Sequence, residues 1–296
     1  MSDKATVLRQ LSPEQPVLLA GPTGSGKSAL ALEIAQTQGG VIINADALQV
    51  YDNWRVLTAR PSREDEACVP HHLYGHVGAE TAYSVGAWLR DFAPFLQCGQ
   101  RPIIVGGTGL YFTALTRGLA GIPPIPAGVR AKADTRLANE GPAALLAELD
   151  APTRHRLDSA NPARIQRAWE VLTATGQGLA AWHAHTPAPI LRLGDAQPLL
   201  IDADRDWLTE RIERRFDAMI AAGALDEVAA NLAAGWTPER PSAKAIGAPE
   251  LVAYLKGNRS LKDAVAAGKT ATRQFAKRQR TWFRSKMREW TTLALP

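Results

Sequence analysis

The chain reads Gly21-Pro22-Thr23-Gly24-Ser25-Gly26-Lys27-Ser28 at the point that decides its fold. This stretch matches G-x-x-x-x-G-K-[ST], follows an apolar run over 17–20 and leads into a helical pattern over 29–35. A strand, a glycine loop and a helix in that order form a phosphate-binding loop, whose backbone N–H groups surround phosphate oxygens. Lys27 is expected to reach the terminal phosphates, and the Ser28 hydroxyl is expected to bind Mg²⁺. The stretch therefore predicts a site for a polyphosphate.

Four short apolar runs predict buried strands, and the segments between them carry helical patterns. The runs cover residues 17–20, 41–43, 103–105 and 199–201. This alternation indicates an α/β fold, a P-loop NTPase-like parallel sheet flanked by helices.

A change of composition divides the chain. Proline-rich residues 121–126 precede a long stretch with helical spacing and no strand signal, which predicts an all-helical module inserted between two strands. We expect the first part of the P-loop core over 1–120 and the inserted helical module over 121–189. Residues 190–296 are expected to complete the core and to end in basic C-terminal helices.

Composition excludes several classes of protein. The chain has 296 residues, of which 46% are apolar and 21% charged, and no apolar run approaches the thickness of a bilayer. Residues 1–11 are too polar for a signal peptide, so a cytoplasmic protein is expected. Cys68 and Cys98 do not form a C-x-x-C pair, which argues against both a disulfide framework and a zinc site.

Positive charge is concentrated near the end of the chain. Residues 269–288 contain eight basic side chains and no acidic one, so the rest of the chain has a formal charge of −3 against a total of +5. At about 100° per residue, one helical face collects most of these charges and the opposite face collects aromatic and small side chains. The basic face comprises Lys269, Arg273, Lys277, Arg280, Arg284 and Arg288, and the opposite face Thr272, Phe275, Ala276, Gln279, Trp282, Phe283 and Trp290. An amphipathic helix that binds a nucleic-acid backbone is predicted.

Two further segments place polar groups at the predicted carboxyl edge of the sheet. Asp46 follows the run over 41–43, and Thr108 lies in a glycine turn after the run over 103–105. Ligands of doubly wound sheets gather at this edge. Spacing alone leaves open whether Asp46 is a general base or a metal ligand of the Walker B type.

The ordered set of motifs resembles the IPP transferase family, the tRNA dimethylallyltransferases. The resemblance runs nearly end to end and rests on the phosphate loop and a series of short motifs. These are Asn44-Ala45-Asp46, Gln49-Val50-Tyr51, Thr58-Ala59-Arg60-Pro61, Val69-Pro70-His71-His72-Leu73, Gly106-Gly107-Thr108-Gly109-Leu110-Tyr111, Arg164-Ile165-Gln166-Arg167, Ala245-Ile246-Gly247 and Ala271-Thr272-Arg273-Gln274-Phe275-Ala276-Lys277-Arg278-Gln279.

The resemblance implies transfer of a dimethylallyl group from dimethylallyl diphosphate to the exocyclic amine of the adenosine 3′ of the tRNA anticodon, with release of diphosphate. It implies Asp46 as general base and places Thr108 and Arg215 at the diphosphate and the reacting centre. It also implies that the amide of Gln49 reads the adenine edge. The diphosphate would be held by residues 21–28 together with Mg²⁺.

The resemblance further implies contacts to tRNA from all parts of the chain, and we expect a monomer. The implied contact residues are Asp46, Ala47, Leu48, Gln49, Thr108, Arg130, Ala163, Arg164, Ile165, Gln166, Arg167, Lys244, Arg273, Lys277 and Arg284. Three alternatives share the phosphate loop: a small-molecule kinase, an adenylate isopentenyltransferase and an NTPase that binds nucleic acid. None of the three accounts for the inserted module, the basic helix and the motifs together.

Overall fold

A computed structural model describes residues 4–295 of the chain. Within these residues, six strands form one sheet in the order β3-β2-β4-β1-β5-β6, and every neighbouring pair is parallel. The strands are β1 (Val17–Ala20), β2 (Val41–Asn44), β3 (His71–His72), β4 (Pro102–Gly106), β5 (Gln197–Ala203) and β6 (Thr291–Leu295). The predicted α/β fold with a parallel sheet is confirmed.

The four predicted strands are β1, β2, β4 and β5, and they form the centre of the sheet. The sequence prediction missed both edge strands. β3 has two residues, too few to show a pattern of its own. β6 directly follows the basic segment, and the prediction of a helical C-terminal region was wrong for these last residues.

The core lies on both faces of the sheet because side chains of a strand alternate between the faces. Leu18 and Ala20 of β1 pack into one buried cluster, whereas Val17 and Leu19 pack into another on the opposite side. Burying both faces explains why the central strands are continuous apolar runs rather than alternating ones.

Helices cover the sheet, and further helices follow its fifth strand along the chain. Those before the module are α1 (Lys4–Gln10), α2 (Lys27–Gln38), α3 (Arg63–Cys68), α4 (Val85–Phe92) and α5 (Gly109–Arg117). Those after the module are α10 (Arg205–Ala221), α11 (Ala224–Ala233), α12 (Ala248–Leu255) and α13 (Leu261–Lys286). No helix in the described part of the chain is both long and apolar enough to cross a membrane.

The chain divides into two compact units. One unit joins the residues up to 116 with those from 191 onward, and the other is Arg117–Ile190. The second unit contains α6 (Ala127–Ala147), α7 (Ala151–Arg156), α8 (Pro162–Thr175) and α9 (Leu179–Ala184) around a separate small core that includes Ile165 and Trp169. α6 is interrupted at Gly141, which has a φ of 78° and is followed by Pro142.

The amphipathic basic helix is α13, but it is shorter than its sequence pattern. Its buried side includes Thr272, Ala276, Gln279 and Phe283. Arg288 and Trp290, which the sequence pattern places on the same helix, lie beyond its last residue. The chain needs this short turn after Lys286 to enter β6 in the parallel direction.

Candidate active site

The carboxyl edge of the sheet brings together the loops that follow β1, β2 and β4. Ala20 of β1 pairs with Gly106 of β4, so the phosphate loop and the glycine turn leave the sheet side by side. A side-chain carbon at Gly106 would overlap the backbone of Ala45, which lies in the loop after β2. Glycine at this position therefore allows the two loops to touch.

The phosphate loop has the backbone that its glycines predict. Gly24 and Gly26 have φ values of 84° and 89°, a left-handed conformation that favours glycine. α2 begins at Lys27, and the free N–H groups of its first turn face the loop, as at any helix start. The Ser25 hydroxyl is fully buried and has no hydrogen-bond partner among the described residues. This arrangement suits an anion held by backbone N–H groups.

Arg211 and Arg215 of α10 both form hydrogen bonds with the phosphate loop. The Arg211 Nε donates a hydrogen bond to the Gly24 carbonyl at 3.0 Å, and the Arg215 guanidinium donates to the Thr23 hydroxyl. The two arginines are one turn apart on the helix, so both reach the same loop. From the sequence, Arg215 is a candidate site residue only through the family resemblance, and Arg211 is not a candidate.

The charges of Lys27, Arg215 and Asp46 act on one another. Burial lowers the pKa of Lys27 from 10.5 to about 8, and the positive Arg215 adds to this effect while Asp46 opposes it. Burial also lowers the pKa of Arg215, again against the attraction of Asp46. Two cations held close together against a single carboxylate leave a net positive charge, which a diphosphate would neutralise.

Asp46 is held in a fixed position by its own loop. The buried Asn44 accepts a hydrogen bond from the Asp46 N–H at 2.9 Å and donates to the Asp46 carbonyl at 2.9 Å. One carboxylate oxygen of Asp46 accepts the N–H of Leu48 at 3.0 Å. The other oxygen of this carboxylate remains available for a proton.

Thr108 holds the Asp46 loop from the neighbouring strand. Its hydroxyl accepts the N–H of Ala47 at 2.9 Å, and its own N–H donates to the Ala45 carbonyl at 3.2 Å. Thr108 thus brackets Asp46 on both sides. In this structure its hydroxyl contacts the loop that carries the predicted base.

Gln49 also contacts protein backbone. Its amide nitrogen donates to the carbonyls of Thr58 and Ala59, each at 2.9 Å. A bidentate pair with adenine needs one of these two protons. The predicted role of Gln49 therefore requires the segment that contains Thr58 and Ala59 to move away from its amide. Glu227 accepts the N–H groups of residues 55–57 from the other side.

One cavity connects these groups with an apolar wall. Its polar lining comprises Thr23, Lys27, Ser28, Asp46, Gln49, Thr58, Arg215 and Thr272. Its apolar lining comprises Leu48, Leu57, Ile212, Phe216, Met219, Ile246 and Phe275. The cavity can therefore receive a molecule that is anionic at one end and hydrocarbon at the other.

The residues around Lys27 fit a magnesium ion that is bound through a diphosphate. Ser28 lies in the first turn of α2 with its side chain exposed beside Lys27. Mg²⁺ usually takes one or two protein oxygens together with substrate phosphates and water. Ser28 supplies one such oxygen. Among the described residues there is no group of three or more His, Cys, Asp or Glu that could hold a metal.

The predicted RNA contacts within the module differ in accessibility. Arg130, Ala163, Arg164 and Arg167 are exposed, whereas the side chain of Ile165 is 1% exposed. α8 turns the side chain of Ile165 into the core of the module, so the contact to tRNA predicted for this residue would have to come from its backbone. Gln166, half-buried, donates to Asp134 at 2.6 Å and to Glu170 at 3.2 Å.

In the other unit, Lys244, Lys277 and Arg284 are exposed. Arg273 is partly buried and forms an ion pair with Glu213 of α10. The predicted RNA-contacting residues of α13 therefore divide into two exposed side chains and one that already has a carboxylate partner.

Gln279 is a second site residue that sequence reasoning missed. Its buried amide contacts both the phosphate loop and the glycine turn. The pattern did place this glutamine on the buried face of an amphipathic helix. Because a buried amide needs hydrogen-bond partners, this placement indicated that Gln279 contacts other polar groups of the protein.

Comparison with known proteins identifies relatives over the whole chain. The family model described as IPP transferase matches residues 49–286, and the one described as isopentenyl transferase matches residues 15–69. The tRNA dimethylallyltransferase of Cereibacter sphaeroides strain ATCC 17029 is 60% identical over 295 residues, covering 100% of this chain and 94% of the relative. That of Roseobacter denitrificans is 63% identical over 279 residues, covering 94% and 98%.

Solved structures agree with this relationship. A tRNA isopentenylpyrophosphate transferase from Bacillus halodurans superposes with a TM-score of 0.67 at 30% identity, covering 95% of this chain and 90% of its own. A eukaryotic dimethylallyltransferase described as acting on tRNA superposes with a TM-score of 0.79 at 25% identity, covering 95% and 74%.

Proposed function

The chain belongs to the IPP transferase family, and we propose that it transfers a dimethylallyl group from dimethylallyl diphosphate to an adenosine of tRNA. The acceptor is the exocyclic amine of the adenosine 3′ of the anticodon, and diphosphate is the second product. One observation carries the proposal. A single cavity is lined both by the charged side chains of Lys27, Arg215 and Asp46 and by a set of apolar side chains.

The phosphate loop holds the leaving group in this proposal. As the bond between C1 and oxygen breaks, positive charge develops on the allylic carbon and negative charge on the diphosphate. Lys27, Arg215 and the N–H groups at the start of α2 are fixed before the reaction begins, so they stabilise this charge without reorganising. The apolar wall of Phe216, Met219 and Ile246 receives the hydrocarbon group and excludes water from the cation.

Asp46 takes up the proton that the amine loses in this proposal. Its backbone and one carboxylate oxygen are held by Asn44 and Leu48, which leaves the second oxygen for the proton. A positioned carboxylate of this kind typically contributes about 10²- to 10⁴-fold to the rate.

We further propose Mg²⁺ as the cofactor, with Ser28 as the protein ligand. When bound, the ion would neutralise charge on the diphosphate oxygens. The tRNA is bound by the exposed Lys277 and Arg284 of α13 and by the exposed arginines of the inserted module. The protein is proposed to act as a monomer.

The direct test combines purified protein, dimethylallyl diphosphate, Mg²⁺ and unmodified tRNA. Mass spectrometry of the digested tRNA is expected to show one C5H8 unit added to a single adenosine. A parallel reaction with ATP and without the allylic substrate tests the kinase alternative. Unmodified tRNA after incubation, or phosphoryl transfer from ATP to a metabolite, would contradict the proposal.

The Asp46→Asn variant tests the proposed base. Asparagine keeps the oxygen that accepts the Leu48 N–H, so the loop is retained, but its neutral amide cannot accept a proton. We expect kcat to fall by at least about 100-fold, while the Kd for tRNA changes little. Asp52→Asn, at an exposed position nearby, is the matched control. Loss of tRNA binding in Asp46→Asn would instead indicate a structural role for this carboxylate.

A further inference from the structure

Gln279 lies on the buried side of the basic helix, with both the oxygen and the nitrogen of its amide hydrogen-bonded. The residue is 6% exposed. Its side-chain oxygen accepts the Thr23 N–H at 2.8 Å, and its side-chain nitrogen donates to the Gly107 carbonyl at 2.9 Å. These partners fix the orientation of the amide, because the first can only donate and the second can only accept.

The two loops that Gln279 joins carry the two halves of the proposed chemistry. Thr23 belongs to the phosphate loop, and its hydroxyl is bound by Arg215. Gly107 precedes Thr108, whose hydroxyl holds the loop of Asp46. One side chain therefore ties the part that holds the leaving group to the part that holds the base.

The glycine turn packs closely against Gln279 and its neighbours on α13. A side-chain carbon at Gly107 would overlap the Gln279 amide and would lie 3.2 Å from an Asp46 carboxylate oxygen. A side-chain carbon at Gly109 would overlap the ring of Trp282, which also belongs to α13. Two glycines of the turn thus let α13 lie directly against it, once through an amide and once through an aromatic ring.

The pairing of β1 with β4 ends just before these two loops. Ala20 and Gly106 are the last paired residues of β1 and β4. Beyond them, the backbone N–H of Thr23 and the carbonyl of Gly107 pair with Gln279 rather than with each other. A residue 172 positions after Gly107 and 256 positions after Thr23 therefore links the two loops.

We propose that Gln279 is a positioning residue that sets the distance between the diphosphate loop and the loop of Asp46. This inference rests on the function proposed above. A displacement of about 1 Å between reacting groups can lower a rate by about 10²-fold. Losing the link is therefore expected to lower kcat much more than it weakens tRNA binding, because the exposed side chains of α13 are unchanged.

The Gln279→Met variant removes both hydrogen bonds and keeps the length of the side chain. We expect kcat, at saturating dimethylallyl diphosphate and tRNA, to fall by about 10- to 100-fold, with the KM for tRNA within about two-fold of wild type. Gln274→Met is the matched control, because this exposed glutamine lies on the same helix. It is expected to keep the wild-type kcat.

Several outcomes would overturn the inference. They are a wild-type kcat in folded Gln279→Met, a loss of rate fully explained by a smaller fraction of folded protein, and a loss only in the KM for tRNA. If Gln279→Met does not fold, Gln279→Glu keeps the acceptor for Thr23, removes the donor to Gly107 and adds a negative charge near Asp46. It is expected to show the same fall in kcat, and a wild-type kcat would again refute the role.

The controls separate this inference from the proposed function. If wild-type protein adds no C5H8 unit to tRNA, the proposed function fails. If wild-type protein is active and folded Gln279→Met is equally active, only the positioning role fails.

Discussion

Lys27 lies between a carboxylate and a guanidinium, and burial affects its charge more strongly than either neighbour. Loss of hydration disfavours the ammonium, Arg215 repels it and Asp46 attracts it, and the result is a pKa of about 8. A lysine with this pKa is still mostly charged at neutral pH. A bound diphosphate would stabilise the charged form, so ligand binding and protonation of Lys27 are coupled.

This coupling predicts that diphosphate binding weakens as the pH rises through about 8. Calorimetry with inorganic diphosphate between pH 7 and 9.5, in buffers of different ionisation enthalpy, should show proton uptake that is greatest above pH 8. In Lys27→Arg the charge persists at all these pH values, so the protein's share of the uptake should disappear. Equal proton uptake by both proteins would assign the effect to the ligand alone.

The same shift has an opposite effect on stability. The pKa of Lys27 is lower in the folded protein than its ordinary value of 10.5, so the unfolded chain binds more protons between about pH 8 and 10.5. Lys27 therefore destabilises the fold below pH 8, and this cost is relieved as the pH rises through that window. The charged form of Lys27, which burial disfavours, would be stabilised by a bound anion.

At the scale of elements, α13 has two faces with different partners. Three of its basic side chains are paired with carboxylates of other elements: Lys269 with Asp217 at 2.7 Å, Arg273 with Glu213, and Arg280 with Asp202 at 4.0 Å. The sequence shows no acid within the basic segment, but the fold supplies acids from α10 and β5. Neutralising a paired arginine would also leave its carboxylate without a partner, so Arg273 is a poor probe of RNA binding.

The exposed Lys277 and Arg284 are better positions at which to test RNA binding by substitution. We expect Lys277→Gln combined with Arg284→Gln to weaken tRNA binding at low salt and to reduce the slope of log K against log[salt] by about 1 to 2. Lys262→Gln, an exposed change in the first turn of α13, is the control and should leave the slope unchanged. Binding measured by fluorescence anisotropy from 50 to 300 mM salt (~six-fold) checks this. A double variant with the wild-type slope would show that these charges are merely solvated.

At the scale of the whole molecule, the chain leaves and re-enters the larger unit at neighbouring points. The N–H of Leu191 donates to the carbonyl of Leu115 at 3.3 Å, although 75 residues separate them in sequence. The intervening residues form a unit with its own buried core. A short linker can therefore replace them without straining the sheet.

Replacing residues 117–190 by a short glycine-serine linker should leave a folded protein that still binds diphosphate. Circular dichroism should retain the signal of the remaining helices, and calorimetry should give a Kd for inorganic diphosphate within about three-fold of wild type. Prenyl transfer to tRNA should fall sharply, because the exposed arginines of the module are lost. Full transfer activity in the shortened protein would contradict a role for the module in tRNA binding.

Much of the site was predictable because it depends on local order along the chain. The phosphate loop and the Asp46 loop each follow a buried strand, and strands of a parallel sheet present their carboxyl ends at one edge. Arg211 and Gln279 were not predictable as members of the site. Arg211 belongs to no short motif. Gln279 ends the motif over 271–279, but that motif does not show which groups its amide contacts, and each residue reaches the loop from a helix that is distant in sequence. The two edge strands were missed because β3 is very short and β6 follows a helix without a turn signal.

The fold class, the phosphate loop, the position of Asp46 after β2 and the basic face of one helix follow from the amino-acid sequence. These features depend on patterns within a few residues, which the backbone geometry of strands, loops and helices translates directly into structure. The pairing of the basic side chains, the burial of Ile165 and the link that Gln279 makes between two loops are visible only in the folded chain. These depend on contacts between segments far apart in sequence, and such contacts leave no local pattern because their partners are chosen by packing.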